Sequence, residues 1–215
     1  MKTNIFDISL DNIIDICSFL YTNDMLSFSL TNKFLYNDLL NNKTNMIVHQ
    51  FTVNKNILSL DFIEKLPYKL FNVNISGNQN LSDKDFKKLK GIHTLSMWNC
   101  DQHSITDKAF EYLKGIHTLD MLYCDQYTIT DKAFKNLKGI HSLNMSGCRQ
   151  NTITNKAFEY LEGISYLCIE LCNQKTITDD AFEYLKKIPD IHVLGCDPSL
   201  VNSLSKIDKW FNLNN

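Results

Sequence analysis

A 20-residue segment recurs every 24 residues through the C-terminal two-thirds of the chain. ITDKAFEYLKGIHTLDMLYC, which begins at Ile105, and ITDKAFKNLKGIHSLNMSGC, which begins at Ile129, are identical at 14 of 20 positions. Further copies begin at Leu81, Ile153 and Ile177, and a shorter forerunner, VNISGNQNL, spans residues 73–81. Near-copies at a fixed period are typical of a solenoid, in which each unit buries its apolar face against its neighbours.

Each copy predicts one short strand followed by one short helix. Alternation along the L-x-M-x-x-C part places every second residue on the core face. In the copy that begins at Ile105, Thr106 can cap a helix, Phe110 and Leu113 belong to its apolar stripe, and Gly115 can end it. The predicted core-facing strand residues are Leu95 and Met97, Leu119 and Met121, Leu143 and Met145, Leu167 and Ile169, and Ile191 and Val193.

The pattern L-x-M-x-x-C-x(4)-I-T-D-x-A-F resembles the cysteine-containing class of leucine-rich repeats, whose pattern is L-x-x-L-x-L-x-x-C-x-x-I-T-D. The resemblance covers residues 70–196. It implies an α/β leucine-rich-repeat solenoid arc, with short parallel strands on the concave face and short helices on the convex face. The forerunner keeps two residues between Asn78 and Leu81, whereas later copies have four residues after the cysteine, so we expect a longer turn there.

Cysteine and histidine also recur at the 24-residue period, and both residue types ligate zinc. A zinc site needs four ligands around one point, whereas one residue per stacked repeat gives a row spaced by about 5 Å. Asn78, a poor zinc ligand, stands at the cysteine position of the forerunner. We therefore interpret the cysteines as a structural ladder that hydrogen-bonds backbone groups inside the turns, and we predict neither a metal site nor a cofactor. The recurring residues are Cys100, Cys124, Cys148, Cys172 and Cys196, and His93, His117 and His141.

The sequence predicts no catalytic residue. Glycine-rich phosphate loops, paired-carboxylate motifs and Ser-His-Asp signatures are all missing from the sequence. Of all the cysteines in residues 70–196, alternation places only Cys168 on the open face of its strand. Glu170, its neighbour on that face, disfavours the thiolate. We therefore interpret Cys168 as a surface thiol, and we expect a protein that is not an enzyme.

The outward-facing strand positions vary from copy to copy, while the framework positions barely change. A constant scaffold under a variable face is typical of a binding surface; the alternative is drift at exposed positions that carry no constraint. Trp98, Leu122 and Leu194 favour binding, because large exposed apolar groups are costly without a partner and Trp is enriched at interfaces. We predict that an unidentified substrate protein binds this concave face, through Ser96, Trp98, Asp120, Leu122, Asn144, Ser146, Cys168, Glu170, His192 and Leu194.

Composition bounds the environment and the partners. The chain is 44% apolar, with a net charge of -2 and a pI of about 6.3, so it lacks the basic field that attracts nucleic acid or anionic membrane. No run approaches the roughly 18 apolar residues of a membrane span, and the N-terminus does not resemble a signal peptide. We expect a soluble protein of the cytoplasm or nucleus, monomeric outside any complex, whose seven cysteines are reduced.

Residues 1–43 predict three short helices and resemble an F-box, in which an L-P-x-E opening leads to an apolar helix and then to D-L-L. Ile8-Ser9-Leu10-Asp11 stands at the opening, with serine where proline is usual, and Asp24-Met25-Leu26 matches D-L-L. The order of the two parts is similar to that in F-box and leucine-rich-repeat proteins of giant amoebal DNA viruses. The resemblance implies binding of a Skp-family subunit of a cullin-RING ubiquitin ligase, through Ile8, Leu10, Ile13, Ile16, Leu20, Met25 and Leu26.

Two further segments flank the repeats. Residues 44–69 carry apolar residues as far as Leu66, and we interpret them as a helical connector that docks on the first repeat. Residues 197–215 predict a C-terminal capping helix, with Pro198 in its first turn and Leu200 and Leu204 at helical spacing.

Three functions are therefore open. The first is a substrate-recognition adaptor of a Skp/cullin/F-box ubiquitin ligase, which holds its substrate on the concave face. The second is a stand-alone leucine-rich-repeat binder or competitor, in which residues 1–43 serve only as a cap. The third is an enzyme or a metal protein, for which stoichiometric zinc would be the evidence.

Overall fold

Seven parallel strands form one open sheet in the computed structural model, which describes residues 47–65 and 69–206 of the chain. Each strand pairs with the next one in sequence, and equivalent residues of successive copies lie opposite each other, as Leu95, Leu119 and Leu143 do. This register confirms the predicted solenoid of strand-and-helix repeats. The strands are β1 (Ile47–Thr52), β2 (Lys69–Asn74), β3 (Thr94–Ser96), β4 (Thr118–Asp120), β5 (Ser142–Asn144), β6 (Tyr166–Cys168) and β7 (Asp190–His192).

The helix of a typical copy is one α-helical turn that tightens into a 3-10 helix. Thr106 caps the helix that begins at Asp107 by accepting a hydrogen bond from the Lys108 amide at 3.2 Å, and Gly115 has a φ of 81° just beyond it, as predicted. The α-helices are α1 (Asp83–Phe86), α2 (Asp107–Phe110), α3 (Asp131–Phe134), α4 (Phe182–Leu185) and α5 (Pro198–Ser205). The 3-10 helices are Asp61–Lys65, Lys87–Leu89, Glu111–Leu113, Lys135–Leu137, Asn155–Leu161 and Asp179–Ala181.

The residues that copies share form one continuous core. Each repeat contributes one strand residue and one residue just after the strand, such as Leu119 and Met121. The helix residues Ala133, Phe134 and Leu137 show the matching helical contribution. A single copy would leave this apolar face in water, whereas the stacked copies bury it from both sides. The residues that are identical between the copies therefore form the interior of the protein.

Residues 47–52 form a strand, so the prediction of a helical connector is wrong for this part of residues 44–69. β1 pairs with β2 from Ile47 opposite Lys69 to Thr52 opposite Asn74. Without this partner, the edge of β2 would present unpaired backbone donors and acceptors. Phe51 alternates into the core as a strand residue does, and only the later turn Asp61–Lys65 is helical, in the 3-10 form.

Two polar side chains join this first segment to the first repeat. The Asn78 side chain donates to the Ile57 carbonyl at 3.0 Å and accepts from the Leu81 amide at 3.0 Å. Asp85, which stands where later copies have alanine, is buried and accepts from the Leu60 amide at 3.0 Å. The first repeat is thus adapted to carry a neighbour that is not a repeat.

The described part of the predicted C-terminal cap, residues 197–206, contains helix α5, and residues 207–215 lie outside the described residues. The Asp197 carboxylate accepts a hydrogen bond from the Ser199 amide at 2.9 Å, and the hydrogen bonds from Ser199 hold the pKa of Asp197 below its ordinary value. Leu200 and Leu204 are buried against the last repeat. Residues 1–43, with all seven residues predicted to bind a Skp-family subunit, lie outside the described residues.

Candidate binding face

The ten residues predicted to bind a substrate protein lie on the outward side of strands β3 to β7 or directly after these strands. They differ in how far they reach into solvent. Trp98 is 49% exposed and Leu194 is 65% exposed, whereas Ser146 and Cys168 are buried. The placement follows from alternation with the core residues, and the binding role of these residues stays a prediction.

The middle row of this face is joined by hydrogen bonds from strand to strand. The Ser96 hydroxyl donates to the Asp120 carboxylate at 3.5 Å, and the Asn144 amide donates to the same carboxylate at 3.1 Å. The Ser146 hydroxyl donates to the Asn144 side-chain oxygen at 2.9 Å and lies 2.9 Å from the Cys168 thiol. These side chains are fixed in one arrangement before any partner arrives, which lowers the entropy lost on binding.

Cys168 is not a surface thiol, so that interpretation is wrong. Although it lies on the outward side of β6, it is only 7% exposed. The Ser146 hydroxyl lies 2.9 Å from its sulfur, and Tyr166 precedes it on the same side of β6. Alternation gives the face of a strand on which a residue lies, but neighbouring side chains decide how far that residue is covered.

Two acidic residues, Glu170 and Asp190, lie at the β6–β7 end of the face beside His192. The His192 ring lies 3.1 Å from Asp190 through Nε2 and 3.8 Å from Glu170 through Nδ1. The Tyr166 ring lies beside His192, with 5.4 Å between the ring centroids. Burial raises the pKa of Tyr166 to about 12, and the Cys168 thiol and the carboxylates of Asp190 and Glu170 act in the same direction.

Large apolar side chains at two adjacent repeat positions are exposed just after the strands, and two of the four were not predicted from the sequence. We define the apolar ridge as Trp98, Tyr123, Leu171 and Leu194. Tyr123 and Leu171 are 43% and 41% exposed, and they have φ values of 55° and 58°, a region that bulky residues rarely adopt. The signal was present in the sequence, because glycine occupies this repeat position at Gly77, Gly147 and Gly195.

Two glycines make room for the side chains of the apolar ridge. A Cβ on Gly147 would lie 2.3 Å from Cδ1 of Tyr123, and a Cβ on Gly195 would lie 2.8 Å from Cδ2 of Leu171. Each large side chain therefore packs over the glycine of the next repeat. The alternation of large residue and glycine along this row is a packing arrangement, and it holds the two side chains at the rim of the concave face.

The repeat cysteines form the predicted structural ladder. Each thiol donates to a backbone carbonyl of the preceding repeat, as Cys124 does to Met97 at 2.9 Å and Cys148 to Met121 at 3.2 Å. Burial raises the pKa of every thiol in the ladder, to about 11 at Cys100 and to about 12 at Cys196. Such thiols are poor nucleophiles and poor metal ligands, because both roles require the thiolate.

The repeat histidines form a stack that continues an aromatic ring of β2. Phe71, His93, His117 and His141 follow one another with 4.4, 4.3 and 4.5 Å between successive ring centroids. Burial lowers the pKa of His117, and the two neighbouring imidazoles lower it further. Within residues 47–65 and 69–206, no group of three or more His, Cys, Asp or Glu side chains is arranged to hold a metal ion.

No helix in the described part of the chain is long and apolar enough to cross a membrane.

Comparison with known proteins supports the fold and goes no further. No protein-family model matches the chain, and no curated protein matches its sequence. Among solved structures, the chain is similar to one from the complex of yeast Rad7 and Elc1, with 20% identity, a TM-score of 0.50, and coverage of 67% of this chain and 40% of the other. It is also similar to one from the TLR13–ssRNA13 complex, with 21% identity, a TM-score of 0.54, and coverage of 68% and 21%. A third similar structure is LegL7 of Legionella pneumophila, a leucine-rich-repeat-containing protein, with 13% identity, a TM-score of 0.44, and coverage of 69% and 58%. The chain therefore spans less than two thirds of each of these structures, and its likeness to the first two is a likeness of fold alone.

Proposed function

We propose that this chain is a non-catalytic protein-interaction module that holds a partner protein on its concave face. The observation that carries the proposal is a contrast between core and surface. The core consists of residues that the copies share, whereas Trp98 and Leu194 are exposed on the outward face. A fixed polar row beside exposed apolar groups suits recognition, because polar groups set orientation and apolar groups supply affinity.

We further propose that the module is a substrate-recognition adaptor of a Skp/cullin/F-box ubiquitin ligase, working in the cytoplasm or nucleus and monomeric outside that complex. The support is the F-box resemblance of residues 1–43 and their position directly ahead of the repeats. A similar fold also occurs in a chain from the crystal structure of the yeast Rad7 and Elc1 complex. The adaptor contributes positioning alone, since the transfer of ubiquitin belongs to other subunits.

Co-purification with a Skp-family protein tests the adaptor role. Wild-type chain should retain the subunit, and Leu20→Asp together with Met25→Asp should abolish retention, because a charge in an apolar contact is costly to desolvate. Lys114→Asp, at an exposed site on the convex side, is the matched control and should bind as wild type does. Equal retention by the double variant would refute the adaptor role.

A second function, a stand-alone binder, is favoured by one observation. β1 extends the sheet upstream of residues 70–196, so residues 47–52 are continuous with the solenoid and can cap its first repeat. In that case no Skp-family complex forms, while capture of a partner by the concave face persists. Trp98→Ala with Leu122→Ala would then abolish capture, and Glu111→Ala on the convex side would not.

A further inference from the structure

Basic residues are confined to one side of the solenoid, whereas acidic residues lie on both sides. The outward rows of the described strands carry the acidic residues Asp120, Glu170 and Asp190 and no lysine or arginine. The lysines of the repeats lie on helices and turns, where Lys108, Lys132 and Lys156 occupy equivalent exposed positions. Because the whole chain has a net charge of only -2, the acidic concave face results from placement and not from composition.

The acidic face is open to a cation at its β6–β7 end. Glu170 and Asp190 have side-chain exposures of 38% and 56%, so each retains oxygen lone pairs that face solvent. Their contacts with His192 fix both carboxylates on either side of one ring. The Tyr166 ring beside them adds an aromatic surface, against which a guanidinium or ammonium group is favourable.

The apolar ridge supplies an independent observation, because it is exposed at a cost to the fold. Tyr123 and Leu171 adopt a left-handed conformation that glycine adopts freely at the same repeat position. Large apolar side chains that stay exposed side by side mark interaction surfaces. The ridge follows the C-terminal rim of the same sheet whose outward side is acidic, so that one ligand can contact both.

We propose that the acidic face and the apolar ridge together bind an extended protein segment that pairs large apolar side chains with a lysine or arginine. This rests on the proposed function and specifies its partner. Trp98 follows β3 and Glu170 follows β6, three strand steps away, which is about 14 Å. An extended chain covers that distance in about four residues. The basic side chain meets Glu170 and Asp190, and an aromatic or aliphatic side chain about four residues away packs on Trp98 and Tyr123.

Selection of peptides from a phage-displayed library of random dodecamers on the immobilised full chain tests the proposal. The enriched peptides should carry Lys or Arg about four residues from Trp, Phe or Leu. Glu170→Gln with Asp190→Asn should weaken their binding about tenfold, as expected for the loss of two partly exposed charge pairs. Glu111→Gln with Glu159→Gln removes the same charge from the exposed convex side and should change nothing. Added salt should lower the peptide affinity of the wild type towards that of the Glu170→Gln and Asp190→Asn variant.

Tyr123→Gly gives a second readout that separates binding from folding. This variant removes strain together with a ridge side chain, so peptide affinity should fall about tenfold without a decrease in the urea midpoint. Enriched peptides that lack basic residues but depend on Trp98 would overturn this inference and leave the proposed function standing. An empty selection would overturn this inference alone, and enriched peptides whose binding no concave substitution weakens would overturn both.

Discussion

Replacement of Gly147 by alanine tests the packing that holds the apolar ridge in place. Gly147 has a φ of 68°, and a Cβ there would lie 2.3 and 2.4 Å from two ring carbons of Tyr123. Gly163 provides a matched control, because it has a φ of 84° but no atom within 4 Å of its would-be Cβ. The two substitutions share the backbone cost and differ in the steric one.

The magnitude follows from these two costs. A left-handed alanine costs about 1–2 kcal/mol, and forcing an extra carbon into a filled site costs about 1–3 kcal/mol. We therefore expect Gly163→Ala to lower the free energy of unfolding by about 1–2 kcal/mol and Gly147→Ala to lower it by about 2–5 kcal/mol. The Tyr123 ring is exposed on one side, which limits the steric cost to the lower part of its range if the ring rotates away.

Urea unfolding followed by circular dichroism measures both variants. Tyr123→Gly removes the clash and also relieves the left-handed tyrosine, so it is the reference for the double variant. With glycine at position 123, Gly147→Ala should cost only what Gly163→Ala costs in the wild type. Equal losses in Gly147→Ala and Gly163→Ala, or an unchanged cost of Gly147→Ala when residue 123 is glycine, would refute the packing of Tyr123 over Gly147.

Three further perturbations test other parts of the structure. Gln126 is 1% exposed, and neither of its side-chain polar atoms has a hydrogen-bond partner in the described protein, so Gln126→Met should raise the free energy of unfolding by about 1 kcal/mol. Gln150→Met loses a 3.1 Å hydrogen bond to the Cys124 carbonyl, so its free energy of unfolding should rise less. The reverse order of the two variants in urea unfolding would contradict this explanation. The Cys148 thiol should react with maleimide at pH 8 only as fast as the chain opens, since burial raises its pKa; rapid labelling detected by mass spectrometry would show that the ladder is not buried. The pKa of His117 is lower in the folded chain than in the unfolded chain, so the unfolded chain binds a proton more readily. The free energy of unfolding should therefore fall as the pH drops from 6.5 towards the folded-state pKa. His117→Phe should keep the ring stack and reduce this pH dependence of the urea midpoint, and an unchanged dependence would count against the stack as its source.

Much of the fold was predictable because one period governs both sequence and structure. Residues that recur every 24 positions must pack on their own copies, so Leu119, Met121 and Phe134 could be assigned to the core from spacing alone. The cysteine ladder followed for the same reason, since one thiol per repeat cannot converge on a single ion. Thr106 and Gly115 marked the ends of a helix through the usual capping chemistry.

The parts that escaped prediction lie where the repeat gives way to particular neighbours. Residues 47–52 carry no repeat letters, and their strand conformation depends on the open edge of β2. The burial of Cys168 depends on Ser146 and Tyr166 from two different strands. The exposure of Tyr123 depends on a glycine one repeat away, a pairing that periodicity alone does not weigh.

Photo-crosslinking in cells tests whether the partner protein binds the concave face. A benzophenone amino acid is placed at Trp98 on the concave side and, as a control, at the exposed convex residue Glu111. We expect one protein to crosslink from position 98 and not from position 111, and its yield to fall when Glu170→Gln and Asp190→Asn are added. Crosslinking from the convex position, or equally from both, would show that the partner does not lie on the face formed by the strands.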